Sequence, residues 1–180
     1  MIYEQELLKS TSFFVRELLQ KVDKTKATII IGIPKENQAV EKRLALTPET
    51  TALLVESGHQ VLVEKGAGIC INYPDNYYSE SGAEIVETHR EVMQADLILK
   101  IAPPTESEVE MMKSRATVFS FLQLAKMTQR TLELMSEKRI NALAYELVLD
   151  KSGTSPFDTA ISEIEGSCSI TLAAELISNA

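Results

Sequence analysis

The sequence of 180 residues has no tryptophan, two cysteines and two histidines. Cys70 and Cys168 are far apart and show no C-x-x-C spacing, which argues against a disulfide framework or a zinc site. His59 and His89 also have no partner at metal-ligand spacing, so we predict no metal site and expect capping or surface roles for both.

Positive charge is scarce as well. Eighteen lysines and arginines against 26 acidic residues give a net charge of −8, so nucleic acid and anionic membranes are not expected partners. No apolar run approaches the roughly 20 residues of a membrane span. Glu4 and Glu6 stand where a signal peptide carries basic residues, and we therefore expect a cytoplasmic protein.

What the sequence does have is a repeated alternation of strand and helix patterns. Residues 27–33, ATIIIGI, form an apolar β-branched run that is typical of a strand covered on both faces. Thr47 and Pro48 then open a helix that ends before Gly58. Further strand patterns are QVLVEKG, AEIV, ADLILKI, ATVFSFL and INALAYEL. This alternation predicts an open, doubly wound, mostly parallel α/β sheet of the Rossmann-like or flavodoxin-like kind.

One strand pattern, LILKIAPP at residues 97–104, carries an ammonium group where a buried strand should be apolar. Ligands of open parallel sheets bind outside the carboxyl ends of the strands. The polar residues predicted at that edge are Lys35, Glu36, Lys42, Arg43, Lys100, Gln123, Tyr145 and Glu146. Because this set includes lysines and an arginine, it predicts a binding site for a small carboxylate. The alternative is that Lys100 extends its stem out of the sheet into solvent.

Five ordered segments resemble one known family: IGIPKENQAVEKRLALTPETTALLVESGHQVLVEKGAG, ADLILKIAPP, FSFLQLA, ALAYELV and SEIEG. They are similar to the N-terminal, substrate-side domain of alanine dehydrogenases and nicotinamide nucleotide transhydrogenases, over residues 27–170. The resemblance implies an NAD-dependent oxidoreductase of amino-acid metabolism that deaminates L-alanine reversibly to pyruvate. It also implies a homo-oligomer whose NAD(H) is bound mainly by a second domain.

The resemblance also implies roles for individual residues. Arg43 would pair with the substrate carboxylate, and Lys100 would bind substrate oxygens and polarise the carbonyl. Tyr145 and Glu146 match the A-Y-E block of the dehydrogenases and would contact the substrate.

Gln123 is a departure, because alanine dehydrogenases carry a histidine there. A glutamine has no accessible pKa and cannot transfer a proton, so a catalytic role at this position is doubtful. Two alternatives therefore stay open. One is a transhydrogenase-type module without a small-molecule substrate, which would associate with a membrane through another subunit, and the other is a non-catalytic regulatory scaffold.

A dinucleotide fingerprint is missing from the chain. Gly66-Ala67-Gly68 fails the G-x-G-x-x-G/A pattern because Ile71 takes the last position, and we predict an ordinary glycine turn with no cofactor-binding residues. The expected organisation is an amphipathic helix over 1–24, a substrate-side domain over 25–157, and a connecting helix over 158–180 that is truncated before the NAD-binding domain. The isolated chain is expected to be inactive.

Overall fold

The computed structural model describes residues 28–178, so the predicted helix over 1–24 lies outside the described residues. Six strands form one sheet in which every pair is parallel. They are β1 (Ile30–Ile33), β2 (Gln60–Glu64), β3 (Glu84–Val86), β4 (Leu97–Leu99), β5 (Thr117–Ser120) and β6 (Asn141–Ala144). Their spatial order is β3-β2-β1-β4-β5-β6. The strand order reverses between β1 and β4, which confirms the predicted doubly wound sheet and places its switch point there.

Helices connect the strands. They are α1 (Pro48–Glu56), α2 (Asp75–Glu80), α3 (His89–Met93), α4 (Glu106–Met111), α5 (Gln129–Glu137) and α6 (Pro156–Ser178). The hydroxyls of Thr47, Thr88 and Thr105 each accept a hydrogen bond from the backbone N–H three residues on. These side chains satisfy N–H groups that a helix start leaves unpaired. The sequence predicts all three caps, the first from Thr47-Pro48 and the other two from the capping-box spacing of Thr88 with Glu91 and of Thr105 with Glu108.

Apolar side chains cover both faces of the sheet. On one face, Ile98 and Val118 pack with Val92 and Met93 of α3 and Val109 of α4 in a buried cluster. A second buried cluster on the other face includes Ile31, Ile33, Val61, Val63 and Tyr78. Since both faces are buried, the strands carry continuous apolar runs rather than an alternating pattern.

Helix α6 differs from the others, because none of its 23 residues is buried. It begins at Pro156, close to the predicted start at Asp158. The ring of Phe157 contacts the rest of the domain, since its centroid lies 4.6 Å from that of Tyr145. Between residues 28 and 178, no helix combines the length and the apolar character needed to cross a membrane.

Candidate functional site

The switch point brings together the loop after β1 and the residue that follows β4. Lys100 continues from β4, and its backbone N–H donates to the carbonyl oxygen of Phe119 at 3.1 Å, so the strand pairing extends up to this residue. Glu36 lies in the loop that leaves β1, and its side chain is buried. The topology thus places a cation and a carboxylate at the edge where ligands of such sheets bind.

Lys100 does not reach solvent, because only 3% of its side chain is exposed. Its Nζ lies 2.7 Å from Oε1 of Glu108 and 3.7 Å from Oε2 of Glu36. A buried ammonium needs such partners, since an unpaired charge in the interior is very costly. The alternative in which Lys100 extends into solvent is therefore wrong.

Glu36 is the carboxylate at the centre of this site. It accepts hydrogen bonds from the backbone N–H groups of Ile101 and Ala102, which fixes the chain just after Lys100. Burial raises the pKa of Glu36, while the charge of Lys100 and the two amides oppose that rise. The residue therefore couples the loop after β1 to the end of β4.

Arg43 lies nearer the surface, with 55% of its side chain exposed. Its Nε and Nη2 donate to the two carboxylate oxygens of Glu41 at 2.9 and 2.7 Å. This hydrogen-bonded pair raises the pKa of Arg43, and the charges of Glu165 and Glu36 add to the effect. The charge of the Glu36 carboxylate acts on both Lys100 and Arg43.

Tyr145, at the end of β6, is buried among aromatic rings. Its centroid lies 4.1 Å from that of Phe119, 5.1 Å from that of Phe121 and 4.6 Å from that of Phe157. Burial raises the pKa of Tyr145 to about 12, and the charge of Glu36 contributes. The hydroxyl is therefore neutral at physiological pH and belongs to the surroundings of Glu36.

Glu146 and Gln123 are connected to each other. The Glu146 carboxylate accepts hydrogen bonds from the backbone N–H groups of Leu122, at 3.3 Å, and Gln123, at 2.8 Å. Gln123 is exposed and has a φ of 47°, in the left-handed region that non-glycine residues rarely adopt. Glu146 thus stabilises the strained turn that presents Gln123 at the edge of the site.

His89, Glu64 and Glu108 were not among the predicted site residues. His89 Nδ1 lies 2.6 Å from Oε2 of Glu64, and Nε2 lies 3.4 Å from Oε1 of Glu108. Hydrogen bonds with Glu108 and then Glu64 raise the pKa of His89 to about 9. The expectation that His89 is only a capping or surface residue is incomplete, since it joins the charges around Lys100.

The two carboxylate oxygens of Glu108 make different contacts. Its Oε2 accepts from the backbone N–H of Thr105 in the capping box, while its Oε1 faces Lys100 and His89. Burial raises the pKa of Glu108, but His89 and Lys100 outweigh that effect and hold the pKa at about 2. The capping-box spacing of Thr105 and Glu108 was visible in the sequence, whereas the pairing with Lys100 was not.

The glycine turn after β2 does not fit a dinucleotide. A Cβ at Gly68 would lie 2.2 Å from the carbonyl oxygen of Tyr73 and 2.7 Å from Cε2 of Tyr78, so this glycine admits the protein's own backbone and ring. Gly66 has a φ of 73° and supplies the turn itself. The space that a pyrophosphate would need at such a turn is filled here.

A buried ammonium held by carboxylates at the switch point of an open parallel sheet defines a class: a doubly wound α/β domain with paired charges at its strand ends, the edge where such sheets bind their ligands. Residues 32–163 match the family model described as alanine dehydrogenase/PNT, N-terminal domain. The chain belongs to this family.

Curated proteins that are similar to this chain are named alanine dehydrogenases. The chain is 38% identical over 149 residues to an alanine dehydrogenase of Staphylococcus saprophyticus, covering 83% of this chain and 40% of that protein. It is 39% identical over 150 residues to an alanine dehydrogenase of Methanococcus maripaludis, covering 83% and 40%. The chain thus spans about 40% of the length of the curated relatives it matches.

Solved structures agree with the sequence relatives. An L-alanine dehydrogenase superposes with a TM-score of 0.77 and 31% identity, covering 82% of this chain and 40% of that one. A transhydrogenase from Sinorhizobium meliloti superposes with a TM-score of 0.62 and 30% identity, covering 68% and 36%. Both similarities support the family membership and the observed fold.

Proposed function

We propose that this chain is the substrate-side domain of an NAD-dependent oxidoreductase of the alanine dehydrogenase type. Its ligand would be pyruvate or L-alanine, interconverted by reversible oxidative deamination. The observation that carries the proposal is the ammonium of Lys100, which is buried and held by carboxylates at the switch point rather than exposed. A surface lysine without a binding role would not need that arrangement.

Arg43 and Lys100 would bind the two functional groups of a 2-oxo acid, its carboxylate and its carbonyl oxygen. The guanidinium of Arg43 uses Nε and Nη2 to hold Glu41, and its remaining N–H donors are available to a substrate carboxylate. Lys100 would donate to the carbonyl oxygen, where negative charge develops during hydride addition. Tyr145 and Glu146 would complete the site, the first beside Glu36 and the second through the turn that carries Gln123.

NAD(H) would bind outside the described residues. Tyr73 and Tyr78 pack closely against Gly68, and the turn does not match the dinucleotide fingerprint, so we assign the cofactor to a second domain of the complete enzyme. Since Gln123 cannot exchange a proton, the proton transfer that deamination requires would also depend on another group. We further infer a cytoplasmic homo-oligomer, for which sedimentation velocity should show a species larger than one chain.

A second candidate function is favoured by Gln123 together with the structural similarity to a transhydrogenase. A transhydrogenase-type module passes hydride between nucleotides and needs no proton transfer from this position. Hydride exchange between nucleotide analogues in the absence of any amino acid would support it. Pyruvate-dependent oxidation of NADH with ammonia, and no such exchange, would instead support the dehydrogenase.

The role of Arg43 gives a direct test. Arg43→Gln should weaken pyruvate binding in the presence of NADH by about 10- to 100-fold, because a charge-assisted hydrogen bond contributes about 1.5–3 kcal/mol. The measurement is isothermal titration of the full-length protein. Lys42→Gln is the matched control, since it removes an exposed cation one residue away and should change the affinity less than about twofold. Equal affinities for the two variants would refute the role of Arg43.

A further inference from the structure

The imidazole of His89 lies between two carboxylates. Nδ1 is 2.6 Å from Oε2 of Glu64, and Nε2 is 3.4 Å from Oε1 of Glu108. Ionised carboxylates only accept hydrogen bonds, so an imidazole that faces one on each side is satisfied when both of its nitrogens carry a proton. The geometry therefore favours the imidazolium form of His89.

Both carboxylates are held from their other sides. Glu64 also accepts the backbone N–H of Lys35 at 2.8 Å. Glu108 accepts the backbone N–H of Thr105, and its Oε1, the oxygen nearest to His89, lies 2.7 Å from the Nζ of Lys100. His89 and Lys100 thus share one carboxylate oxygen, and the position of that oxygen affects both.

We propose that His89 is a positioning residue for Lys100: its protonated imidazole holds the carboxylate of Glu108 where that carboxylate fixes the Lys100 ammonium at the strand end. Loss of the proton frees one side of Glu108 and loosens the ammonium. The consequence of this positioning role for ligand binding rests on the function proposed above. It adds to that function a dependence of 2-oxo acid affinity on the charge of His89.

Other charged groups near His89 are engaged elsewhere or do not face the ring. Helix α3 packs against β1, β2, β3 and α4. From β2 and α4 the facing charges are Glu64 and Glu108, and beyond β3 Glu87 is paired with Lys65 at 2.8 Å. On the β1 side, the backbone N–H of Lys35 donates a hydrogen bond to the Glu64 carboxylate. Arg90 and Glu91 follow His89 on α3, and the raised pKa of His89 comes from Glu108 and Glu64.

The direction of the pH dependence follows from the raised pKa of His89. The pKa rises from the ordinary 6.5 to about 9 because two carboxylates favour the cation. A raised pKa means that the interaction is complete below pH 6.5 and is lost as the pH rises through about 9. The ammonium of Lys100 should therefore be held firmly at neutral pH and released in the alkaline range.

The first experiment needs no ligand. The 180-residue chain contains only two histidines, so long-range ¹⁵N NMR of histidine-labelled protein gives two imidazole spin systems, which His59→Gln assigns. We expect the His89 imidazole to titrate near pH 9 with both nitrogens protonated at neutral pH. Glu108→Gln should lower its pKa, because it removes the strongest cause of the rise. Titration of His89 near 6.5 would overturn the proposal.

The second experiment measures pyruvate affinity against pH in the full-length protein with NADH. Wild-type affinity should fall about tenfold between about pH 7 and pH 10, as an ionised partner group is lost. His89→Gln should show the lower affinity already at neutral pH, without this alkaline decrease. His89→Lys, which keeps a cation at the position, should retain the affinity to higher pH.

The outcomes separate the two proposals. A His89→Gln profile parallel to that of the wild type would show that His89 serves the fold alone and would overturn its positioning role. If the wild type binds no pyruvate at any pH, the proposed function fails, and the His89 titration still decides whether the imidazolium links Glu64 to Glu108.

Discussion

Replacing Lys100 with methionine should lower the free energy of unfolding by about 3–5 kcal/mol, the usual cost of removing one partner from a buried ion pair. Methionine keeps the length of the apolar stem but removes the ammonium that lies nearest to the buried carboxylates of Glu108 and Glu36. The same change should abolish detectable pyruvate binding. Urea unfolding followed by circular dichroism measures the first effect, and calorimetric titration measures the second.

Two further variants make the interpretation specific. Lys65→Met removes an ammonium 2.8 Å from a carboxylate oxygen, close to the 2.7 Å of Lys100 and Glu108, but in the exposed pair with Glu87, and its urea midpoint should not change. Adding Glu108→Gln to Lys100→Met should recover part of the lost stability, because it removes a buried carboxylate charge that has lost the ammonium nearest to it. A Lys100→Met midpoint equal to that of Lys65→Met would contradict the buried ion pair.

The second large effect concerns Gly32 in the middle of β1. Gly32→Ala should destabilise the protein by about 3 kcal/mol or more, the upper part of the range for overpacking a filled core. The new Cβ would lie 2.5 Å from the carbonyl oxygen of Val92 and 2.8 Å from the Cβ of Ala95. Neither atom belongs to the end of a flexible side chain, so the helix α3 must move. Urea unfolding gives the measurement.

Gly166 provides the matched control, because a Cβ at this helical position meets nothing within 4 Å. Gly166→Ala should raise the local stability of α6 by up to about 1 kcal/mol, which is the helix-propensity difference between the two residues. Since α6 buries no residue, this change should increase the helical signal without moving the main unfolding transition. If Gly32→Ala unfolds at the same urea concentration as Gly166→Ala, the close contact of β1 with α3 is wrong.

The predictions for Lys100 and Gly32 concern two different energetic costs in the same region, the burial of charge and the close packing of a helix on the sheet. Gly32 lets α3 approach the sheet closely, and this approach brings His89, at the start of α3, to the charges around Lys100. Burying those charges is not the most stable solution for a sheet edge, since apolar residues of similar size would often do as well. The proposed binding site, in which Lys100 would present its ammonium to a ligand, would explain why this cost is accepted.

Local features were predictable from the sequence. The threonine caps at Thr47, Thr88 and Thr105 require only contacts between residues three apart, and Gly58, with a φ of 90°, follows α1 as predicted. Strand ends were less accurate: the pattern over 140–147 gave a strand of four residues, Asn141–Ala144, followed by a 3₁₀ turn. There Tyr145 packs against the rings of Phe119 and Phe157 while Leu147 is exposed, and a local apolar pattern does not distinguish this arrangement from strand pairing.

By itself, then, the sequence determined the parallel α/β order, the edge at which the polar residues collect, and the family, because these follow from local periodicity and ordered motifs. Only the tertiary structure decided which charges meet. Residues 36 and 108 flank Lys100 although one lies 64 positions before it, and His89 joins Glu64 to Glu108 across two helices and a strand. No spacing rule links such residues, since their distances are set by how the helices pack on the sheet.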